Sequence, residues 1–198
     1  MSTPKILALA NSLRKDSLNR KLVRAAAESA RAEGAEVTVL DLAEYPLPIY
    51  DGDLEGAGAP PNAKKLRDLF SAQQGFLLST PEYNGSIPGL AKNAFDWASR
   101  VGGKDEDALG PFWNKPLALL SASPGGFGAM RSLVQARLMF GFLGFLVLPD
   151  SVSLPKAASA FDPQGALLAP PQADSVKRIG QLIVLAAKTF DPYVKSDL

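Results

Sequence analysis

The 198-residue chain contains no cysteine and no histidine. Without cysteine there is no disulfide, no thiolate nucleophile, no redox dithiol and no iron–sulfur cluster. Without histidine there is no Ser-His-Asp triad, no ordinary His-containing zinc site, and no side chain whose unperturbed pKa lies between about 5 and 8. An excess of charge is lacking too. Lys and Arg number 21 against 20 Asp and Glu, a net charge of +1, so no long-range pull toward nucleic acid or an anionic membrane is expected. Long apolar runs are also missing. The longest, Leu138 to Leu148, falls well short of the roughly 20 residues a membrane-crossing helix takes. The start, Met1-Ser-Thr-Pro-Lys5, carries none of the marks of a signal peptide, so a soluble, cytoplasmic location is expected. An enzyme made from this chain needs either a strongly shifted carboxylate or lysine, or a cofactor that carries the reaction. The second requires fewer special conditions.

What is present is a globular composition, 46% hydrophobic and 21% charged, of a size suited to one domain over residues 1–198. Lys5 to Ala10 is a short apolar run bounded by polar residues and predicts a buried strand. Leu22, Val23, Ala26 and Ala30 recur at helical spacing, with Gly34 as a stop. Glu36 to Leu42 is β-branched and predicts a second strand. Tyr45 to Pro61, rich in Pro, Gly and Asp, predicts a long loop.

Asn62 to Ala72 is helical in pattern, Gly75 to Thr80 a third strand, and Ile87 to Ala98 a helix with Pro88 in its first turn. Lys115 to Ser123 predicts a fourth strand, a helix follows Gly128, and Phe145 to Leu148 predicts a fifth strand. Val176 to Phe190 forms a closing amphipathic helix. Strands alternating with helices in this way imply a parallel α/β sheet covered on both faces, because parallel strands require crossover connections. With five strands the natural arrangement is the flavodoxin-like three-layer sandwich of order 2-1-3-4-5. Ligands then sit beyond the carboxyl ends of the strands, where the strand order reverses. The loops after strands one, three and four become the places to search.

The first of these, Asn11 to Asn19, carries Ser12, Arg14, Ser17 and Asn19 and opens a helix. Unpaired N–H groups at a helix start, hydroxyl donors and a guanidinium together suit a phosphate. Ser17 or Asn19 by itself would only cap the helix; four such residues in one switch-point loop favour an anion site. There is no G-x-x-x-x-G-K-[ST] and no G-x-G-x-x-G after the first strand. A monophosphate held by hydroxyls fits FMN better than NAD. The third-strand loop, Ser79 to Gly89, combines backbone-shaping Pro81, Gly85, Pro88 and Gly89 with Tyr83, Asn84 and Ser86, a wall suited to a planar heteroaromatic ring. The fourth-strand loop, Ser121 to Arg131, is small and Gly-rich; its donors suit the side of such a ring where negative charge grows on reduction.

At these residues the sequence resembles the NADPH-dependent FMN reductase family, which includes bacterial quinone, chromate and azo reductases of flavodoxin-like fold. The likeness is carried by Ser12-Leu-Arg-Lys-Asp-Ser-Leu-Asn19, Pro46-Leu-Pro-Ile-Tyr-Asp51, Pro81-Glu-Tyr-Asn-Gly-Ser-Ile-Pro88, Lys92-Asn-Ala-Phe-Asp-Trp-Ala-Ser-Arg100, and Ser121-Ala-Ser-Pro-Gly-Gly126 with Arg131. The resemblance implies that Ser12, Arg14, Ser17 and Asn19 hold the FMN phosphate. It further implies that Pro81, Glu82, Tyr83 and Asn84 line the isoalloxazine and that Ser121, Ser123 and Gly125 close the other side. It implies NADPH or NADH as co-substrate, a small acceptor such as a quinone, flavin, azo compound or chromate, and a homodimer or homotetramer. The chain departs from the pattern at Asn11 and Ala129, where the family commonly has Gly. No side chain need act as acid or base if the cofactor does the chemistry. The alternatives are a flavodoxin-type electron carrier and a binding module for another phosphorylated metabolite.

Overall fold

The computed structural model describes residues 3–101 and 108–195. Five strands, β1 (Lys5–Ala10), β2 (Glu36–Leu40), β3 (Gly75–Ser79), β4 (Pro116–Ala122) and β5 (Leu146–Leu154), form one sheet of order β2-β1-β3-β4-β5. All four pairings are parallel, with Ile6 opposite Val37 and Gly75, Phe76 opposite Leu117, and Leu117 opposite Val147. The helices are α1 (Leu18–Ala32), α2 (Gly52–Gly58), α3 (Pro61–Ser71), α4 (Gly89–Arg100), α5 (Met130–Phe142) and α6 (Pro170–Lys195). This is the flavodoxin-like three-layer α/β sandwich that the alternation of elements predicts. No helix among the described residues is long and apolar enough to cross a membrane.

Strand alternation divides the core in two. Ile6, Ala8, Leu77, Ala118 and Leu120 point to one face and pack with Leu22, Val23 and Ala26 of α1 and Val176, Ile179 and Ile183 of α6. Leu7, Leu9, Phe76, Leu78, Leu117 and Leu119 point to the other, against Leu66 and Phe70 of α3, Phe95 of α4 and Phe140 of α5. The first core is aliphatic and alanine-rich, which lets α1 and α6 approach closely. A Cβ on Gly180 would lie 2.5 Å from Ser29 Cβ and 2.9 Å from the Ala26 carbonyl oxygen, so glycine there permits the crossing. The second core is aromatic. Phe70 stacks on Phe95 at 5.1 Å, and Phe95 meets Phe140 edge-on at 4.8 Å, geometries that aromatic quadrupoles favour.

Several boundaries differ from the sequence-based expectation, among them the start of α6, which lies at Pro170 and not Val176. β2 stops at Leu40, two residues early, because Asp41 turns its carboxylate to the Ala43 N–H (2.9 Å), capping a short 3-10 turn over Leu42–Glu44. The predicted loop from Tyr45 to Pro61 contains α2, whose start Asp51 caps through the Asp53 N–H. Pro88 stands just before α4 rather than inside its first turn. β5 runs on to Leu154 through Pro149, which resembles a stop in the sequence. β5 is an edge strand, where a missing N–H breaks no ladder bond. A register shift opposite Leu117 and Leu119 absorbs the irregularity, and the Arg137 guanidinium donates to the Leu148 (2.8 Å) and Pro149 (3.3 Å) carbonyls there.

The Pro46–Asp51 segment is fastened to α4. Asn93 accepts the Tyr50 N–H and donates to the Pro48 carbonyl, both at 2.8 Å, and Trp97 Nε1 donates to the same carbonyl at 2.9 Å. The Tyr50 ring meets Trp97 edge-on at 5.1 Å. These contacts tie two of the segments that carried the family likeness into one unit.

Lys115, just before β4, is buried, and its ammonium donates to the carbonyls of Phe70 (3.0 Å) and Ser71 (2.9 Å) at the end of α3. The C-terminal end of a helix favours a cation, but burial pushes the Lys115 pKa from 10.5 down to about 8. The folded form therefore sheds this proton before the unfolded chain does, so the contribution of Lys115 to stability rises as pH increases from about 8 to 10.5. In urea unfolding over a pH series, the wild type should gain about 2 kcal/mol on Lys115→Met across that window. A pH-independent difference between the two proteins would contradict the assignment.

Candidate functional site

Strand order reverses at β1, which lies between β2 and β3. The loops leaving β1 and β3 therefore part there and open a crevice at the carboxyl edge of the sheet. The first loop begins with Asn11, whose N–H donates to the Ser79 carbonyl at 2.9 Å and extends the ladder by one bond. Ser12 follows, nearly buried. Arg20 reaches back from α1 so that its Nε donates to the Ser12 carbonyl (3.1 Å) while its Nη2 pairs with Asp41 Oδ1 (2.6 Å). Ser17 caps α1, its Oγ accepting the Arg20 N–H at 3.3 Å. The remaining N–H groups of that first turn have no partner within the helix.

Asn19 is buried, and both ends of its carboxamide are engaged. Its Oδ1 accepts from Ser79 Oγ (2.8 Å) and the Ala122 N–H (2.9 Å), and its Nδ2 donates to the Ala122 carbonyl (3.0 Å). One side chain thus fixes the start of α1 to the ends of β3 and β4. Arg14, by contrast, is exposed and makes no hydrogen bond or ion pair through its side chain with any described residue.

The β3 loop ends in a tight hairpin, Tyr83-Asn84-Gly85-Ser86. Tyr83 and Ser86 exchange backbone hydrogen bonds at 3.0 and 3.1 Å, and Asn84 and Gly85 hold φ of 54° and 77°. Positive φ at both central residues defines the turn that Asn-Gly favours. The hairpin leaves the Tyr83 ring half exposed. Glu82 turns inward and is bound by Arg131, which donates from Nε (2.6 Å) and Nη2 (2.5 Å), both to Oε1.

In the β4 loop, Ser123 Oγ accepts the Gly125 N–H at 3.2 Å, and the Gly125 carbonyl accepts from Lys156 N at 3.1 Å. Ser121 is fully buried and donates to the Gly128 carbonyl at 2.7 Å. Gly128 has φ +57°, and a Cβ there would fall 2.5 Å from Ser153 Oγ and 2.7 Å from Pro155 N. The loop is locked against β5. Ala129 follows at φ 65°, in the left-handed region that favours glycine.

The three loops enclose one cleft. Ser12, Arg14, Ser17 and Asn19 form one wall, Pro81, Glu82 and Tyr83 a second, and Ala122, Ser123 and Pro124 a third. Of the residues singled out in the sequence, Asn84, Ser121 and Gly125 stand outside the lining. Asn84 shapes the hairpin, Ser121 anchors Gly128, and Gly125 ties the loop to Lys156. Sequence reasoning missed Arg20, although an arginine directly after the capped helix start, with Asp41 ending the neighbouring strand, was a usable signal. The Glu82–Arg131 pair joins residues 49 apart and had no local signature.

The geometry can be set beside known proteins. The family model for NADPH-dependent FMN reductase matches residues 4–159. The chain belongs to the NADPH-dependent FMN reductase family. It is 36% identical to an NAD(P)H-dependent FMN reductase of Pseudomonas aeruginosa over 83% of this chain and 84% of the relative. It is 37% identical to a quinone reductase of Pseudomonas putida over 82% and 83%. Among solved structures, the flavoenzyme NAD(P)H:(acceptor) oxidoreductase of Paracoccus denitrificans superposes with TM-score 0.79 at 28% identity, over 95% of this chain and 99% of that one.

The residues present fit the cofactor of this FMN reductase family. One end of the cleft offers two serine hydroxyls, an open helix start and an arginine without a partner among the described residues, a donor set matched to a phosphate dianion. The other end offers a rigid hairpin with an aromatic side chain and a carboxylate oxygen, Glu82 Oε2, that is buried without a partner among the described residues. The whole arrangement hangs on Asn19. Asn19→Ala strands the Ala122 N–H, the Ala122 carbonyl and the Ser79 hydroxyl in the interior, and should cost about 3 kcal/mol. Chemical denaturation checks this; a loss below about 1 kcal/mol would show that the strand ends hold together without it.

Proposed function

We propose that this chain is an NAD(P)H-dependent flavin oxidoreductase that passes a hydride equivalent through bound FMN to a small acceptor such as a quinone. The observation that carries the proposal is the convergence of Ser12, Arg14 and Ser17 with Pro81, Glu82 and Tyr83 on one cleft at the switch point. The chemistry that bound FMN would supply is acceptance of a hydride from NADPH or NADH and return of the electrons to the acceptor.

The polypeptide's part is positional. Ser12 and Ser17 donate to the phosphate, and Arg14 supplies the counter-charge from the exposed side. Asn19 acts one step back, holding the helix start that presents those donors. Pro81, Glu82 and Tyr83 wall the ring on one side, with Asn84 and Gly85 fixing their backbone. Ser123 faces the ring from the β4 side, on a loop whose shape Ser121 and Gly125 maintain. No acid or base from the chain is required, in keeping with a sequence without histidine or cysteine. Lys115, the buried lysine with a lowered pKa, sits at the opposite, amino edge of β4 and takes no part. The relatives' names, which are reductases and not electron carriers, favour turnover over simple carriage. A cytoplasmic setting, where NAD(P)H is regenerated, suits this role.

The proposal extends to a homodimer or homotetramer. The inner face of α5 is used up in the core through Leu133, Ala136 and Phe140, yet Met130, Val134, Leu138 and Phe142 form an apolar stripe on its outer face, with Phe142 86% exposed. An apolar stripe of this length on a helix otherwise docked in the core is the mark of a subunit contact.

Three measurements bear on these statements. Freshly purified protein should show flavin absorbance or take up added FMN, and should then oxidise NAD(P)H with a quinone. Arg14→Ala should weaken FMN binding about 10- to 100-fold, as loss of a charge-assisted phosphate contact does; unchanged affinity would remove Arg14 from the site. Leu138→Asp with Phe142→Asp should shift the protein to monomer in sedimentation, and an unchanged mass would move the contact to another face.

A further inference from the structure

The Glu82–Arg131 pair serves neither helix nor core. Arg131 is the second residue of α5, whose first turn has no acidic residue and whose start has no side-chain cap. A cation at that end opposes the helix dipole. Glu82 is equally ill-placed for stability. Its side chain is only 9% exposed, both Arg131 contacts go to Oε1, and Oε2 is buried with no hydrogen-bond partner among the described residues. A half-satisfied buried carboxylate costs stability. Arg131 is held in place from two directions, by Glu82 and by the Phe127 ring, whose centroid lies 5.6 Å from its guanidinium carbon. Glu82 also lines the cleft directly. A buried carboxylate that lines a binding cleft, tied to an arginine that stands behind it and is itself 65% exposed, calls for a reason outside folding.

We propose that this pair is a charge balance that sets how tightly the cleft holds reduced FMN relative to oxidised FMN. The inference rests on the FMN site proposed above. Two-electron reduction of the ring at neutral pH adds two electrons and one proton, so the bound group gains one negative charge. A bare carboxylate in the wall, shielded from water, opposes that gain; a bare guanidinium favours it. With both present the two effects largely cancel. Glu82 acts on the ring it walls, and Arg131 is a positioning residue that acts through Glu82 and through its own field.

The signature is a pair of opposite signs. Glu82→Gln keeps the shape and removes the negative charge, so reduced FMN should gain on oxidised FMN. Arg131→Met removes the positive charge and should do the reverse. The ratio of dissociation constants, oxidised over reduced, should rise roughly tenfold in Glu82→Gln and fall roughly tenfold in Arg131→Met, equivalent to about 30 mV up and down for a two-electron couple. Arg131→Lys and the double variant Glu82→Gln/Arg131→Met should stay within about threefold of wild type by the same charge count.

The test is anaerobic titration of apoprotein with oxidised and with dithionite-reduced FMN, supported by dye-equilibrated potentials of the loaded proteins. A purely structural role would weaken both titrations together in both single variants and leave the ratio fixed; that result overturns the charge balance. Should Arg131→Met not fold, Arg131→Gln tests the same loss of charge. A wild-type protein that binds neither form of FMN overturns the site itself, whereas normal FMN binding with an unmoved ratio overturns only this inference.

Discussion

The Asn19 carboxamide is the joint on which this structure turns. Parallel strands end with unpaired carbonyl and N–H groups, and where three elements meet at a sheet edge those groups either find partners or face water. Asn19 satisfies Ser79 and both polar groups of the Ala122 backbone from a single side chain. It thereby places the start of α1 between the ends of β3 and β4. Every loop that lines the cleft leaves from one of those three points, so the cleft inherits its dimensions from this joint.

Around it the loops are stiff for separate reasons. The first is held by Arg20, bridging Ser12 and Asp41. The third-strand loop is a closed hairpin with two left-handed residues. The fourth-strand loop is pressed so close to β5 that Gly128 has no room for a methyl group. Binding then orders little further backbone, which lowers the entropic cost of holding a ligand. Beneath lies an asymmetric core, small side chains under α1 and α6 and packed phenylalanines under α3, α4 and α5. The alanine-rich side brings α1 close enough to the sheet for Asn19 to reach it.

Site residues divide into those that face the cleft and those that hold them. Ser12, Arg14, Ser17, Glu82, Tyr83 and Ser123 face it. Arg20, Ser121 and Asn84 hold the frame, and Asn19 does both, lining the cleft while its polar atoms tie the strand ends together. The two groups look alike in a sequence, since both are polar residues in the same loops. What separates them is whether their polar atoms are already used, and that is a property of three-dimensional neighbours.

Composition and periodicity by themselves determined the class of architecture: alternating strands and helices, a parallel sheet for which 2-1-3-4-5 is the natural order, and the loops after β1, β3 and β4 as the edge to search. These follow from local hydrophobic spacing and from the handedness of crossovers, which need no knowledge of distant residues. The lack of histidine and cysteine likewise pointed to borrowed chemistry. Strand ends were less legible. Asp41 leaves β2 because Arg20 and the Ala43 N–H claim it, and Pro149 stays in β5 because that strand is at the edge. Only the tertiary structure decided that Asn19 is spent on the frame, that Arg14 has no partner among the described residues, and that Glu82 meets Arg131. Each depends on pairing between residues far apart in the chain, and such pairing leaves no period, cap or turn signal for local rules to detect.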